Sequence, residues 1–263
     1  MSRKTLISAL FLDFDGTISS VNASRERVRL APLIKRTLEK IVSSTPVAII
    51  TTKDMRFIQE NTPFASAWAA IGGLEIKIGS KTLGIPESNS SLHLIESILK
   101  HVEAETKQLD ENIRIETKTL SDGRVAAFCV DWRLTRDWNR AEDQISKLFE
   151  PIKEEDLTIQ RYAGRPYLDV FSRVINKGHA FLRLKKVLNV TGSVMYLGDS
   201  ELDNPALELA EISIGVLNSE TYSELNCDFF IEFDSVAAFL QELWHNRLFF
   251  DPNSRLIARK EAG

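Results

Sequence analysis

The sequence predicts an α/β fold in which a mostly parallel sheet forms a core that is interrupted by an inserted α+β domain. Short continuous apolar runs at 6–14, 46–51, 67–71, 193–198 and 212–216 read as strands buried on both faces, as parallel sheets require. Between the third and fourth runs the texture changes. There the strand candidates alternate polar and apolar residues, which suits an antiparallel sheet with one face covered by helices. A third observation is that turn residues and carboxylates collect at the ends of the core runs, where ligands of open α/β sheets bind.

The elements follow in order. After the first strand, residues 31–43 (APLIKRTLEKIVS) carry apolar positions at helical spacing, and PVAIIT at 46–51 completes a β-α-β unit. DMRFIQEN at 54–61 reads as a helix and AWAAI at 67–71 as a strand. GLEIKIGSKTLGI reads as a hairpin turning at Gly79 and Ser80. IPESNSS at 85–91 is a polar linker with a helix start signal, and 92–107 is a helix. IRIETKTL and RVAAFCVDW, joined at SDG, a helix over 137–149, then LTIQRYAG and PYLDVFS complete the insert. The parallel texture resumes with NKGHAFLRLKKVL as a helix and SVMYLGDS as a strand. A helix over 205–210 has Pro205 in its first turn, and ISIGV, CDFFIEF and a helix over 235–245 close the core. The domains are therefore 1–84, 85–172 and 173–263, the first and last forming one core. The tail 246–263 carries no assignable pattern.

With 263 residues, 43% of them hydrophobic and 27% charged, the composition is that of a globular chain with a sizeable core. A formal net charge of −4 argues against a nucleic-acid partner. The basic start and apolar run of MSRKTLISALFLDFDG imitate a targeting segment, but the run ends in Asp-Phe-Asp without a small-residue cleavage site. No stretch reaches the roughly 18 apolar residues of a membrane span, so no membrane partner is expected and the chain reads as cytoplasmic. Cys129 and Cys227 lie far apart without metal-ligand spacing and read as free thiols. The four histidines show no ligand spacing and are expected at the surface. Trp132 and Trp138 read as packing residues of the insert, with stacking on a bound ring as the other reading.

The chemistry concentrates at residues 13–17, DFDGT. Two like charges about 4 Å apart repel by roughly 4 kcal/mol at an effective dielectric near 20, so Asp13 and Asp15 at one strand end call for a positive group between them. A shared proton, a basic side chain or a metal ion with oxygen ligands would each serve. Gly16 then supplies a tight turn with backbone amides and Thr17 a hydroxyl, which makes an anion site beside a cation site. Three further loops fall at the same edge: TTKD at 51–54, NKG at 176–178 and GDSELD at 198–203.

These four motifs, in this order, resemble those of the haloacid dehalogenase superfamily of phosphatases, and the insert lies where that superfamily carries a type two cap. The resemblance implies a Rossmann-like core and a Mg²⁺-dependent phosphatase. Asp13 would be the nucleophile that forms an aspartyl-phosphate, and Asp15 the general acid and base. Thr51, Thr52, Gly16, Thr17 and Lys177 would hold the phosphoryl group. Asp13, the backbone carbonyl of Asp15, Asp199 and Asp203 would hold the metal or orient its waters.

Within the superfamily the likeness is to trehalose-6-phosphate phosphatases, through AIGGLEI at 70–76, IETKTLSDGRVAAFCVDWR at 115–133 and GDSELD. It implies a small phosphorylated sugar as substrate, with Glu116, Lys118 and Arg133 near the sugar. The chain departs from that family at Thr51-Thr52-Lys53, at Ser200 and Asn204, and at Asp131-Trp132. Mannosyl-3-phosphoglycerate, sucrose-phosphate and phosphoglycolate phosphatases have similar architecture. A sugar phosphomutase and a non-catalytic sugar-phosphate sensor are the rival readings. Gly84 and Pro86 at one junction and Ser172 at the other would suit closure of the cap.

Overall fold

The structure is a computed structural model that describes residues 4–21, 28–84, 89–152, 157–162, 164–219 and 224–260. Residues 85–88 of the expected linker, Pro86 among them, lie outside the described residues. The chain divides into two compact units, Met1–Leu83 with Asn176–Gly263, and Gly84–Ile175.

The first unit begins with β1 (Thr5–Leu12), α1 (Pro32–Val42), β2 (Val47–Ile50), α2 (Met55–Asn61), β3 (Ala67–Ala70), β4 (Glu75–Ile78) and β5 (Lys81–Gly84). The second unit holds α3 (Asn89–Leu109), β6 (Arg114–Thr119), β7 (Val125–Asp131), α4 (Trp138–Phe149), β8 (Thr158–Arg161) and β9 (Tyr167–Phe171). The first then resumes with α5 (Lys177–Val187), β10 (Ser193–Gly198), α6 (Asn204–Leu207), β11 (Ile212–Leu217), β12 (Phe229–Glu232), α7 (Val236–His245), β13 (Phe249–Phe250) and β14 (Ala258–Arg259).

Its sheet runs in the order β14-β12-β11-β10-β1-β2-β3-β4-β5. The strands from β12 to β3 are mutually parallel, while β4 and β14 join antiparallel at the two sides. β1 is central because its apolar run has no edge to show water: Ala9, Leu10, Phe11 and Leu12 are all fully buried. On one face Phe11, Ile50 and Tyr196 pack against Ala180, Phe181 and Leu184 of α5 and Leu207 of α6. Alternation along the strands sends Leu10, Leu12 and Ile49 to the other face, where α1 lies against β2 and packs on α7. Burying each such side chain contributes about 1.5–3 kcal/mol.

The tail, which has no assignable pattern in the sequence, contributes two short strands. Thr5 and Leu6 pair antiparallel with Phe250 and Phe249, and Ala258 and Arg259 pair with β12. The anchor is Phe250, 4% exposed, whose ring meets Phe229 and Phe239 edge-on with centroids 5.1 and 6.4 Å away. Two-residue strands have too little propensity to be read locally; neighbouring strands supply the pairing.

In the second unit the sheet order is β6-β7-β9-β8, all antiparallel. Helices α3 and α4 cover one face over Ile95, Val102, Phe128, Val130, Ile145, Leu168 and Val170. The register pairs Glu116 with Cys129 and Cys129 with Asp169, so the opposite face is the polar one. Trp132 is buried at 2% exposure, but Trp138 is 48% exposed and is not a core residue. It lies in the first turn of α4 and donates its indole N–H to the Arg133 carbonyl, 3.2 Å away. All four histidines are exposed, and both cysteines are free thiols.

Candidate active site

β1, β2, β10 and β11 end side by side, and the loops that follow them bring most of the expected residues together. Lys177 arrives differently. It is not at the end of a core strand but opens α5, whose N-cap Asn176 accepts a hydrogen bond from the His179 backbone N–H at 3.1 Å. A cation in a first helical turn opposes the helix dipole, so it needs anionic partners. It has two: Nζ lies 2.8 Å from Asp13 Oδ1 and 2.7 Å from Asp203 Oδ1, with the lysine side chain 3% exposed.

Asp203 is the hub of this network. Its Oδ1 also accepts from the Tyr196 hydroxyl at 2.5 Å, and its Oδ2 from the backbone N–H and hydroxyl of Ser200 at 3.1 and 2.9 Å. Four donors on one fully buried carboxyl group fix its orientation. Burial pushes the Asp13 carboxyl well above the usual range; Lys177 opposes this, while Asp203 and Asp199 add to it. Burial alone would lower the Lys177 ammonium, but Asp13 and Asp203 outweigh it, so the ammonium is held charged. Burial, then Asp203, pushes the Tyr196 phenol up, so it stays a donor.

Asp199 approaches the turn after β1. Its Oδ2 accepts from Asn218 Nδ2 at 2.9 Å, and the same amide donates to the Gly16 carbonyl at 3.1 Å. Gly16 has φ +76°, and a Cβ there would sit 2.1 Å from Asp199 Oδ2, so only glycine permits this approach. Phe14, fully buried, anchors the turn against Phe57, with ring centroids 5.8 Å apart. The buried hydroxyls of Thr17 and Ser19 make no hydrogen bond in this arrangement. Asp15 is more open, its side chain 29% exposed, with Lys53 Nζ 3.7 Å from Oδ2.

Thr51 is buried and accepts from the Lys53 backbone N–H through its hydroxyl at 3.2 Å, while Thr52 beside it is half-buried. The loop is held from behind: the amides of Ile71 and Gly72 donate to the carbonyls of Lys53 and Thr51 at 2.8 and 2.9 Å. Ile71 takes a left-handed φ of 49° to do so. A β-branched residue there stores about 1–3 kcal/mol of strain, which the surrounding core sustains.

The residues expected near a sugar all lie in the second unit. Glu116 is half-buried and Lys118 is 2% exposed. The Lys118 ammonium lies 2.6 Å from Asp169 Oδ1 and 5.4 Å from the Phe171 ring centre, and Tyr162 donates to Asp169 Oδ2 at 2.9 Å. Arg133 pairs with Asp131 at 2.8 Å and lies over Tyr167, 5.3 Å from its centre. Lys118 and Arg133 thus belong to two separate ion pairs.

Tyr196, Asn218 and Ile71 escape a motif-based reading. A polar residue inside VMYL, or directly after the strand ISIGVL, was the available signal for the first two.

One carboxylate oxygen from each of Asp13, Asp199 and Asp203 lies within 4.8 Å of the others, and all three residues are buried. Three buried carboxyl groups converge around one ammonium, and this oxygen-rich donor set fits a hard divalent cation.

Comparison with known proteins bears on the family. Residues 81–243 match the family described as haloacid dehalogenase-like hydrolase. The chain is 25% identical over 255 residues to "Probable trehalose-phosphate phosphatase H" of Arabidopsis thaliana, covering 89% of this chain and 71% of that one. It is 24% identical over 212 residues to "Trehalose-phosphate phosphatase" of Mycobacterium tuberculosis, covering 76% of this chain and 51% of that one. The chain therefore spans about half the length of the mycobacterial relative. Among solved structures, the C-terminal domain of trehalose-6-phosphate phosphatase from C. albicans superposes with a TM-score of 0.71 at 16% identity, over 91% of this chain and 92% of that one. A trehalose-6-phosphate phosphatase related protein gives 0.66 at 15%, over 92% and 99%. These likenesses concern the fold. With the family match spanning most of the chain and the four motifs gathered at one sheet edge, the chain belongs to the haloacid dehalogenase-like hydrolases.

Proposed function

We propose that this hydrolase is a Mg²⁺-dependent phosphatase that cleaves a small sugar phosphate through an aspartyl-phosphate on Asp13, with trehalose 6-phosphate as the best-supported substrate. The observation that carries the reading is the buried Asp13–Lys177–Asp203 network at the carboxyl ends of parallel strands. A structural ion pair has no need of a third and fourth carboxylate and a glycine turn beside it.

In this reading Lys177 fixes the Asp13 carboxylate and offsets charge on the phosphoryl oxygens. Asp203 positions Lys177, since its own oxygens already accept four hydrogen bonds. Asp13, Asp199 and the Asp15 carbonyl would hold the metal, which when bound supplies charge neutralisation for nucleophile and phosphate. Asp15, the more open carboxylate, donates a proton to the leaving sugar oxygen and then takes one from the attacking water. The hydroxyls of Thr17 and Thr51 and the amides of the Gly16 turn suit phosphoryl oxygens. Buried hydroxyls without an acceptor cost about 1–3 kcal/mol each, and a phosphate would provide one for Thr17. The chemistry needs positioning and charge neutralisation and little more.

The names of the relatives favour trehalose 6-phosphate over other sugar phosphates. Lys118 is engaged with Asp169, so its part in this reading is to shape the polar sheet face. Glu116 and Arg133 remain the proposed sugar contacts. The test is phosphate release with Mg²⁺ from trehalose 6-phosphate, sucrose 6-phosphate, mannosyl-3-phosphoglycerate, phosphoglycolate and hexose phosphates, beside an Asp13→Asn control. Preference for trehalose 6-phosphate that disappears in the control supports the reading. Undiminished release by the control overturns the mechanism, and preference for another compound overturns the substrate.

A further inference from the structure

We infer that Asn218 is a positioning residue for the cation site, a role that rests on the metal-dependent reading above. Asn218 lies directly after β11, beside β10, with Gly198 and Gly215 in register. Its one side-chain amide donates twice, to Asp199 Oδ2 at 2.9 Å and to the Gly16 carbonyl at 3.1 Å. Each hydrogen of the amide therefore holds one of the two segments that would share the metal: the acidic loop after β10 and the Asp13–Asp15 turn after β1. The contact is tight. A Cβ on Gly16 would lie 2.8 Å from Asn218 Nδ2 as well as 2.1 Å from Asp199 Oδ2, so the three groups meet without spare room.

The chemistry favours an amide here. Asp199 is a buried carboxylate, 5% exposed, near two others, and an N–H donor directs one of its oxygens without adding or removing charge. A lysine would contribute a permanent positive charge and compete with the cation, while an aspartate would add a fourth negative charge and could not donate. Groups that orient a metal's ligands typically account for 10–100-fold in metal affinity.

The test is Mg²⁺ binding by isothermal titration calorimetry on the full chain without substrate, comparing the native chain with Asn218→Ala and Asn218→Ser. The alanine variant should bind Mg²⁺ about 10–100-fold more weakly, and the serine variant, which keeps a shorter donor, should fall between. In phosphate-release assays the Mg²⁺ concentration for half-maximal rate should rise in the same order. The rate at saturating Mg²⁺ should return to within a few-fold of the native value. Equal Mg²⁺ affinity in all three proteins overturns the inference, even if the variants melt earlier, because a purely structural clasp would lower the melting temperature alone. Absence of saturable Mg²⁺ binding in the native chain overturns the metal reading itself, and this inference with it. Should the alanine variant not fold, the serine variant carries the comparison by the same two criteria.

Discussion

Replacing Lys177 with methionine tests the site most directly, because it removes an ammonium paired to both Asp13 and Asp203 while keeping most of the side chain's volume. At separations of 2.8 and 2.7 Å, each pair is worth about 6 kcal/mol of Coulomb energy at an effective dielectric near 20, before the cost of burying the ions. Much of that is offset by desolvation in the native protein. The variant keeps the desolvation cost of the carboxylates and loses the compensation, so a net destabilisation of about 3–5 kcal/mol is expected. For a chain of this size that lowers the melting temperature by about 6–20 °C. Urea unfolding without metal, followed by tryptophan fluorescence, measures it; urea is preferable to guanidinium, whose ions would screen the charges.

The loss should also depend on pH, with a definite sign. The Asp13 carboxyl has a folded value raised above its unfolded one, and loss of Lys177 raises it further. Proton uptake by Asp13 then favours the folded variant fully below the unfolded value near 3.9, and this relief fades as pH rises through the raised folded value. The deficit is therefore larger at pH 8 than at pH 5. A deficit under about 1 kcal/mol at pH 8, or one that grows on acidification, would refute the argument that Lys177 compensates buried carboxylates.

Three further outcomes are expected. Tyr196→Phe keeps the ring against Phe181 but removes the 2.5 Å hydrogen bond to Asp203, so stability should fall by about 1–2 kcal/mol and kcat should drop more than KM changes. Lys118→Met leaves Asp169 with Tyr162 alone and should cost about 3–5 kcal/mol in unfolding of the second unit; an altered KM at unchanged stability would mean Lys118 acts on substrate and not on the fold. Glu211, which accepts from Lys185 and from the Val194 N–H, has its carboxyl held below the usual range: burial raises it, and these donors outweigh that. Its contribution is present above the unfolded value near 4.3 and lost as pH falls through the lower folded value, so Glu211→Gln should cost about 0.5–1 kcal/mol at pH 7 and progressively less on acidification below the unfolded value, as read by thermal melts across that range.

The sequence by itself determined the core strands, the interruption and which residue types stand at the strand ends. Those features are local. Continuous apolar runs can be satisfied only in a sheet covered on both faces, and carboxylates, glycine and threonine after such a run have few uses other than holding an anion beside a cation. The polar alternation of 114–131 likewise announced a sheet covered on one face, as the packing of α3 and α4 bears out. Tertiary structure decided what depends on partners distant in the chain. The short strands β13 and β14 exist because β1 and β12 offer them backbone groups and Phe229 offers Phe250 a ring. Lys118, expected near the sugar, is instead buried against Asp169, which supplies its counter-charge from 51 positions later. Lys177 meets Asp13 across 164 positions and Asn218 meets Gly16 across 202. No local pattern encodes such meetings: the strand order brings the ends of β11, β10, β1 and β2 together, and burial turns the contacts between them into strong, specific ones.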